Sequence, residues 1–380
     1  MQIYKEKSLC TGCSACVNIC PKACIQMQED ERGFLYPVVD SAACIQCNRC
    51  KSVCSTYLEK NNSKVESQLY SYTNPSLEVL KRSSSGGIFT TISEKILNMG
   101  GYVCGAVYGD DFSVHHTVSS DPVRVSDMCG SKYVQSDMGN CFQTVRKILT
   151  DQKKPILFTG TPCQCLGLRK YLGKEYENLY IADIVCHSVP SPKVFRAYIE
   201  SLEEKYGKIS GINFRDKRNG WLNYSCVFEF ENGTVCEDHN RNLYMSGVLD
   251  GFYHRESCEQ CPVKTVTGYC SDLTMGDFWG IKSVAPDAYR QAGVSAVIVH
   301  NLKGKILLEG SNIKEYEMAP FLVANPKINS CISGNRASGL FYKNMVRRGI
   351  NEAFTAVYRK PLMVQIKMFL KKLIHTDKRG

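Results

Sequence analysis

The sequence concentrates cysteines at short, regular intervals near its amino end. A first run is followed by Pro21 and consists of Cys10, Cys13, Cys16 and Cys20. Thiolates at this spacing let a tight loop wrap a small metal–sulfide body and point its N–H groups at the sulfurs, which is the ligand pattern of a [4Fe–4S] cluster. The run therefore predicts chemistry in which single electrons are stored and passed on.

The same run is repeated between positions 44 and 54. In two-cluster proteins the fourth cysteine of each run binds the other cluster. We therefore expect one cluster on Cys10, Cys13, Cys16 and Cys54. The second cluster is expected on Cys44, Cys47, Cys50 and Cys20.

Residues 1–57 resemble the bacterial two-cluster ferredoxin module. They depart from it at Ser55, which stands where the second proline usually follows the cysteine. The alternative metal is zinc, but zinc sites typically take two pairs of cysteines rather than two runs of four. Cys24 belongs to neither set, and its simplest interpretation is a small buried hydrophobic residue.

Further cysteines follow predicted strands in the rest of the chain. Cys163 lies in a loop after a strand, Cys186 ends the next strand, and Cys258 and Cys261 form a pair in a later loop. The carboxyl ends of parallel strands share one edge of a sheet, where ligands bind. Spacing alone leaves three possibilities open: a third cluster, a zinc site on the loop pair with Cys270, or ordinary buried cysteines.

Loops rich in serine and glycine provide candidate cofactor contacts. A serine–glycine helix start exposes N–H groups that suit a phosphate, although the alternative is an ordinary helix cap. A second loop adds a cation, whose alternative is a surface lysine, and a turn between two glycines adds a carboxylate. The candidates are Ser84, Ser85, Gly86, Gly87, Ser131, Lys132, Tyr133, Gly160, Thr161, Gly276 and Asp277.

Taken together, these stretches resemble the beta subunit of coenzyme F420-reducing hydrogenase and F420-dependent dehydrogenases. The matching segments, in the family's order across residues 69–300, are "SSSGGIF", "GSKYVQSD", "FTGTPCQCLGL", "DIVCHSVPSPKVF", "FRDK" with "GW", "SCEQC" and "LTMGDFWG". The subset of relatives with a fused amino-terminal ferredoxin is the most similar. The chain departs from the family at Ser188 and in residues 291–297, on the presumed substrate side.

The resemblance implies FAD, a [4Fe–4S] cluster inside the main domain, and electron transfer between the clusters and a two-electron acceptor. It assigns the third cluster to Cys163, Cys186, Cys258 and Cys261, which leaves Cys165 and Cys270 as non-ligands. The serine–glycine helix start becomes the candidate site for the flavin diphosphate. Lys132 is then expected near the flavin, where a cation stabilises an anionic reduced ring.

Charge accounting gives the expected function. Cubane clusters pass one electron at a time and many organic acceptors take two, so a flavin belongs between them. The expected protein is an oxidoreductase that exchanges electrons with a redox donor, such as a ferredoxin-like protein, and with a small acceptor, F420-like or other. The alternative is an electron-transfer subunit with no substrate of its own. Asp183 and His187 could supply a proton, and their alternative is a structural link near the strand end.

The spacing of apolar residues predicts the helices and strands that position these candidate residues. Apolar residues at helical spacing predict a helix after the serine–glycine stretch, and residues 155–187 predict a β-α-β unit with parallel strands. Asn232-Gly233 predicts a hairpin. The fold class is thus α+β or α/β, with a ferredoxin domain (1–57), a linker (58–68), a mixed α/β flavin-binding domain (69–345) and a basic helical tail (346–380).

Composition excludes several function classes. The chain has 380 residues, 21 cysteines and a net charge of +10. Nine basic and two acidic residues lie in 346–380, so the body carries only about +3 and no nucleic-acid partner is expected. Clustered cysteines without an export signal predict a reducing, cytoplasmic location. The tail's apolar stripe, 362–373, could contact anionic lipid peripherally or dock on protein.

Overall fold

The structure, a computed structural model, describes residues 2–57, 66–239, 242–264 and 270–358. The predicted apolar stripe of the basic tail, residues 362–373, lies outside this range. So does most of the predicted linker, since the described chain resumes at residue 66 and its first strand begins at Gln68.

The amino-terminal module is built from two similar halves. Each half has a cysteine loop closed by one short helix, and the residue before each helix is left-handed: Ser14 has φ 59° and Asn48 has φ 58°. An antiparallel hairpin joins the halves. The elements are α1 (Ala15–Asn18), β1 (Ile25–Glu29), β2 (Leu35–Val39) and α2 (Arg49–Ser52). The repeat in sequence is therefore a repeat in backbone geometry.

The main domain is built on a mixed sheet. Its strands, together with those of a second sheet, are β3 (Gln68–Tyr72), β4 (Tyr102–Tyr108), β5 (Val114–Ser119), β6 (Ile156–Gly160), β7 (Leu179–Ile184), β8 (Ile209–Asp216), β9 (Ser225–Phe230), β10 (Val235–His239), β11 (Leu273–Asp277), β12 (Ser295–Val299) and β13 (Ile313–Tyr316). Within the described residues, the strand order of the large sheet is β13-β3-β12-β11-β7-β6-β4-β5. The smaller antiparallel sheet has the order β10-β9-β8.

Helices cover the sheets and connect their strands. They are α3 (Leu77–Arg82), α4 (Ile88–Asn98), α5 (Pro122–Ser126), α6 (Cys141–Lys147), α7 (Pro162–Leu172), α8 (Pro192–Tyr206), α9 (Leu243–Asp250), α10 (Ile281–Val284), α11 (Leu302–Leu308), α12 (Met318–Ala324), α13 (Ser338–Arg348) and α14 (Ile350–Tyr358). The predicted mixed α/β architecture is confirmed. Helix α13 continues past residue 345, so the predicted start of the tail falls inside a helix of the main body.

The parallel centre of the large sheet positions the cysteines. Strands β4, β6, β7 and β11 run parallel to one another, so their carboxyl ends lie along one edge. Helix α7 starts at this edge with Pro162 in its first turn and a capping box between Thr161 and Gln164, and it ends at the left-handed Gly173. The predicted β-α-β unit is confirmed as β6-α7-β7.

The second sheet confirms the predicted hairpin. Strands β9 and β10 pair antiparallel across the turn at Asn232-Gly233, where Gly233 has φ 81°. A left-handed φ at this position is why glycine suits the turn. Strand β8, on the other side of β9, ends at Asp216 and contains the first three residues of the "FRDK" segment, so Arg215 lies at the end of this strand.

The ferredoxin module packs directly on the main domain. Ala15 and Val53 are buried in one hydrophobic cluster with Phe142 of α6. Asn18 Nδ2 donates a hydrogen bond of 2.9 Å to the carbonyl oxygen of Gly139, and Gln143 Nε2 donates one of 3.1 Å to the carbonyl oxygen of Asn18. Apolar burial and paired polar groups therefore fix the module against the helices that surround the parallel edge.

Candidate iron–sulfur and cofactor sites

The eight ferredoxin cysteines gather around two separate pockets. The first pocket is lined by all four cysteines of the first expected set, Cys10, Cys13, Cys16 and Cys54. The second is lined by the four of the other set, Cys20, Cys44, Cys47 and Cys50. In both cases the fourth cysteine comes from the other run, which is the crossed arrangement that the spacing predicts. The residues fit two [4Fe–4S] clusters.

The two pockets differ in their exposure to solvent. In the first set, burial raises the pKa of the Cys13 thiol to about 11 and that of Cys16 well above its usual range. Thiols held in this way become thiolates when a cation compensates their charge, as iron does. The second pocket is closer to water, because Cys47 is exposed and Ile45 beside it is 57% exposed.

Cys24 also lines the second pocket. Its sulfur lies 3.5 Å from that of Cys20, and its side chain is only 7% exposed. The predicted small buried residue is therefore placed next to a ligand position rather than in a distant part of the core.

Four cysteines of the main domain converge at the parallel edge of the sheet. Cys163 lies in the first turn of α7, Cys186 follows β7, and Cys258 and Cys261 lie in the loop after α9. Burial raises the pKa of Cys163 well above its usual range, and the thiols of the other three raise it further. The thiols of Cys258 and Cys261 likewise raise the pKa of Cys186. Elements far apart in sequence thus form one sulfur-rich site.

The other buried cysteines at this edge face a carboxylate. The Cys270 sulfur lies 3.8 Å from Oδ2 of Asp183, and Cys165 is fully buried nearby. Among the described residues, no three His, Cys, Asp or Glu side chains surround a position for a single metal ion. Cys270, which the zinc alternative requires beside the loop pair, is instead hydrogen-bonded to Asp183.

The serine–glycine segment, residues 84–87, passes close to neighbouring backbone instead of forming a free loop, and we call this segment the crossing. Ser131 donates hydrogen bonds to Ser84 Oγ from its amide nitrogen at 2.7 Å and from its hydroxyl at 2.8 Å. Gly86 lies between β3 and β12, and its amide nitrogen donates to Ser295 Oγ at 2.9 Å. Helix α4 follows with left-handed Gly87 before it and no side-chain cap. Its first N–H groups can therefore face an anion.

Two lysines next to this crossing bond to neutral partners. Lys132 Nζ donates to the carbonyl oxygens of Met128 and Cys129, and Lys217 Nζ donates at 2.7 Å to those of Ser85 and Ala292. Burial lowers the pKa of Lys132 to about 8 and that of Lys217 to about 8. An anionic ligand would stabilise both ammonium groups, so the cations suit a phosphate or a reduced flavin ring.

A buried ion pair closes the same edge of the sheet. Both terminal nitrogens of Arg215 donate to the Asp277 carboxylate, at 2.8 and 3.0 Å, and Trp221 Nε1 donates to it at 2.7 Å. The Arg215 guanidinium stacks on Tyr224 at 4.0 Å and contacts the hydroxyl of Tyr133 at 3.3 Å. Asp277 thus accepts three hydrogen bonds from Arg215 and Trp221, which hold Arg215 at the turn.

The two candidate proton donors lie in different environments. Burial raises the pKa of Asp183 to about 7, while Thr274 donates a hydrogen bond that holds it lower. Thr274 in turn bonds His300 Nε2 at 2.9 Å. Burial and nearby lysines lower the pKa of His187 to about 4, so its ring is neutral at pH 7. Asp183 is therefore better suited to exchange a proton near neutral pH.

Comparisons with known proteins agree with this architecture. Residues 153–321 match the carboxy-terminal family of the beta subunit of coenzyme F420 hydrogenase/dehydrogenase. Residues 9–57 match the 4Fe-4S dicluster domain, which contains both cysteine runs. The resemblance to a beta subunit with a fused ferredoxin module is thereby confirmed.

Individual relatives are more distant. An uncharacterized protein in the rpl9-rpl11 intergenic region of Porphyra purpurea is 36% identical over 72 residues, which make up 18% of this chain and 93% of that protein. A chain from the structure entitled "Xenon derivatization of the F420-reducing [NiFe] hydrogenase complex from Methanosarcina barkeri" aligns with a TM-score of 0.49 and 16% identity. That alignment covers 77% of this chain and 97% of the other.

Within the region that matches the beta-subunit family, sequence reasoning missed three residues of the candidate site. Arg215, Lys217 and Trp221 lie in the "FRDK" and "GW" segments, which entered the resemblance without a role for any side chain. The signal that could have identified them was their residue type, since a guanidinium, an ammonium and an indole in a short polar turn are suited to anion binding.

A cavity lies where the ferredoxin module meets the main domain. It measures about 880 Å³ with its open mouth and is lined by residues of both parts, including Gly12, Leu35, Gln135, Phe195 and Arg196. The space inside it is about 220 Å³, which is below the range of about 300–1,000 Å³ that is typical of small-molecule sites. Its wall at Gly12 belongs to the loop of the first cysteine set, so the cavity adjoins one of the predicted clusters.

Proposed function

We propose that the chain is an iron–sulfur flavoprotein oxidoreductase of the beta-subunit type. The two family matches support the coarser statement, an iron–sulfur electron-transfer protein related to the F420 hydrogenase beta subunit. The observation that supports the finer proposal is the convergence of Cys163, Cys186, Cys258 and Cys261 at the parallel edge. A cluster there would connect the ferredoxin module with the cation-lined crossing around Ser84.

The proposed third cluster is held by cysteines that the fold brings together from three segments. The four residues are half-buried, and neighbouring thiols raise the pKa of Cys163 and that of Cys186, which favours the binding of cations at this site. Thr161 Oγ1 lies 3.1 Å from the Cys163 sulfur and would hydrogen-bond it in the loaded site. Gly160 and Thr161 are therefore next to the proposed cluster as well as being candidate cofactor contacts.

The proposed flavin is FAD, which supplies the exchange between one-electron and two-electron transfer. The uncapped start of α4 at Gly87 and the Lys217 ammonium would hold its diphosphate. Lys132, Ser131 and Tyr133 would lie along the ring or the acceptor. Lys132 would stabilise negative charge there, and Asp183 would exchange a proton with the site, with His187 as the weaker candidate.

The alternative function is an electron-transfer subunit that serves a partner enzyme. The exposure of the second cysteine pocket supports a protein partner, because Cys47 and the apolar Ile45 lie at the surface. A redox donor such as a ferredoxin-like protein could approach there in either function. The presence or absence of a substrate that oxidises the bound flavin distinguishes the two.

The proposed location is cytoplasmic, with peripheral membrane contact through the basic tail as an additional possibility. In the described part of the chain no helix is long and apolar enough to cross a membrane.

Purification without oxygen tests the proposal. Three cubane clusters and one flavin require about twelve iron ions and one FAD for each chain. About eight iron ions with no flavin would contradict it, since this result corresponds to the ferredoxin module alone. Reduction of the bound flavin by a one-electron donor, followed by visible spectroscopy, tests whether the centres are connected.

A further inference from the structure

Arg255 is a completely buried cation in the segment that leads to Cys258. Its side chain is 0% exposed. Among the described residues, none of the ion pairs within 4.0 Å includes Arg255, and the neighbouring Glu256 pairs with Arg32 instead, at 3.2 Å. A buried charge without a partner is costly, so the fold must compensate this guanidinium in another way.

The guanidinium lies against the loop of the first cysteine set. Its Nε donates to the carbonyl oxygen of Cys10 at 2.6 Å, and a terminal nitrogen lies 3.7 Å from the Cys10 sulfur. The other donors reach Leu35 O and Gln135 Oε1, both at 3.0 Å. The ring of Tyr36 stacks on it at 4.2 Å. Every group that it contacts is neutral except the sulfur, which becomes negative when it binds iron.

The loop is shaped to receive this side chain. A Cβ atom on Gly12 would lie 2.8 Å from a terminal nitrogen of Arg255, and Gly12 has φ 69°. No other residue fits there without displacing the guanidinium. Four thiolates around a cubane give the oxidised cluster a net charge of about −2, which is the compensating charge that the protein itself does not provide.

The same segments adjoin the cysteines of the main domain. Only two residues lie between Arg255, which contacts the first set, and Cys258 of the proposed third cluster. The backbone N–H of Cys258 donates at 2.9 Å to the carbonyl oxygen of Arg255. On α7, which begins beside Cys163, a Cβ atom on Gly167 would lie 3.0 Å from the Cys13 sulfur. The second set has its exposed Cys47 at the surface instead.

We propose that Arg255 is the counter-ion of the cluster on Cys10, Cys13, Cys16 and Cys54, and that this cluster is the one that exchanges electrons with the main domain. Single electrons from an external one-electron donor enter at the set around Cys47, move to the set around Cys10, and continue to the set around Cys163. Each step reduces one cluster by one electron and oxidises the preceding one. The last step depends on the function proposed above, whereas the role of Arg255 at the first cluster does not.

The consequence is measurable as a reduction potential. A cation beside a cluster favours the more negative, reduced state and raises its potential. The substitution Arg255→Met should lower the reduction equilibrium constant of the first cluster at least tenfold, which is about 59 mV for one electron. Anaerobic redox titration followed by EPR measures both ferredoxin clusters, and parallel titrations of Cys16→Ser and Cys50→Ser assign each signal to its cysteines.

Two further variants make the result decisive. Arg255→Lys keeps the charge and should shift the potential less, and it provides the measurement if Arg255→Met fails to assemble. Arg32→Met removes a cation from the same interface that pairs with Glu256 and should leave both potentials unchanged. Equal shifts of both clusters, or no shift of the first, overturn the proposal. Iron and flavin content, measured separately on the unmodified protein, reports on the proposed function and leaves this test unaffected.

Discussion

At the scale of single residues, two cysteines in one helix have different surroundings. Cys163 faces the other cysteines of the parallel edge, whereas Cys165 is buried next to Asp183 and Cys270. We expect Cys163→Ser to remove the third cluster, with a loss of about four iron ions for each chain. Cys165→Ser should retain them, since its sulfur faces the core.

Iron analysis and EPR of the reduced proteins measure this difference. The control for the ferredoxin clusters is their own signals, which should persist in both variants. If both serine variants keep the full iron content, or if both lose it, the ligand assignment is wrong.

Lys132 gives a prediction for pH. Burial lowers the pKa of Lys132 in the folded protein to about 8, and an unfolded chain keeps the ordinary value of 10.5. Between these values the unfolded chain binds more protons than the folded one, so the free energy of unfolding rises with pH in that window. In flavin-free protein, Lys132→Met should lose this rise and be more stable than the unmodified chain below pH 8.

The measurement is the difference in unfolding temperature between variant and unmodified protein from pH 7 to 10, in which other titrating groups cancel. Lys282→Met, at an exposed position on α10, controls for the loss of a lysine. A difference that does not change with pH would contradict the prediction. A lowered affinity for FAD in Lys132→Met would in addition support the proposed place of the flavin.

The gathering of the ferredoxin cysteines into two sets could be anticipated because their spacing is local. Ten residues separate Cys10 from Cys20, and the repeat supplied the crossed pairing. Arg255 could not be anticipated in the same way, because its hydrogen-bond partner Cys10 is 245 residues away. A contact between remote segments produces no periodic pattern in the sequence. The residue type alone does not indicate which segment an arginine contacts.

At the scale of elements, the crossing before α4 depends on a glycine. A Cβ atom on Gly86 would lie 2.2 Å from the carbonyl oxygen of Tyr72 and 2.4 Å from the amide nitrogen of Ser295. Both are backbone atoms of paired strands and cannot move aside. Gly86→Ala should therefore destabilise the fold by about 3 kcal/mol and displace the start of α4, with weaker FAD binding.

Gly339→Ala is the matched control, because a Cβ atom on Gly339 would contact nothing within 4 Å. It lies inside α13, where alanine is the better helix former, so this variant should be as stable as the unmodified protein or slightly more stable. Thermal unfolding and flavin titration compare the two. Equal stability of both alanine variants would disagree with the packing at Gly86.

The elements themselves were largely predictable. The β6-α7-β7 unit and the β9–β10 hairpin follow from apolar periodicity and from Asn232-Gly233, which are local signals. The order of the large sheet was not predictable, since β3, early in the chain, lies between β12 and β13 through pairings that span more than 200 residues. Such pairings depend on how whole surfaces fit, and periodicity does not encode them.

At the scale of the whole molecule, the ferredoxin module and the main domain meet at Gly167 of α7. Cys13 packs against this glycine, and Phe142 lies beside it. Gly167→Leu should push the first cysteine loop away from the helix that begins beside Cys163. We expect slower reduction of the flavin by a one-electron donor while the iron content is kept, because electron transfer depends on the distance between centres.

Stopped-flow spectroscopy under anaerobic conditions measures the rate. Lys174→Leu, at an exposed position just after α7, introduces the same side chain and should leave the rate unchanged. An unaltered rate in Gly167→Leu would mean that electrons reach the flavin by another path.

The openness of the second cysteine pocket sets the order in which the molecule is damaged. Dissolved oxygen or peroxide meets Cys47 before any sulfur of the inner sets, because Cys47 alone among the described cluster cysteines is exposed. Air should therefore bleach the cluster proposed at this set first and, in the proposed route, stop the entry of electrons from a donor. The clusters proposed at the less exposed sets would remain intact but would no longer receive electrons, so oxidation of the exposed cluster would inactivate the protein first.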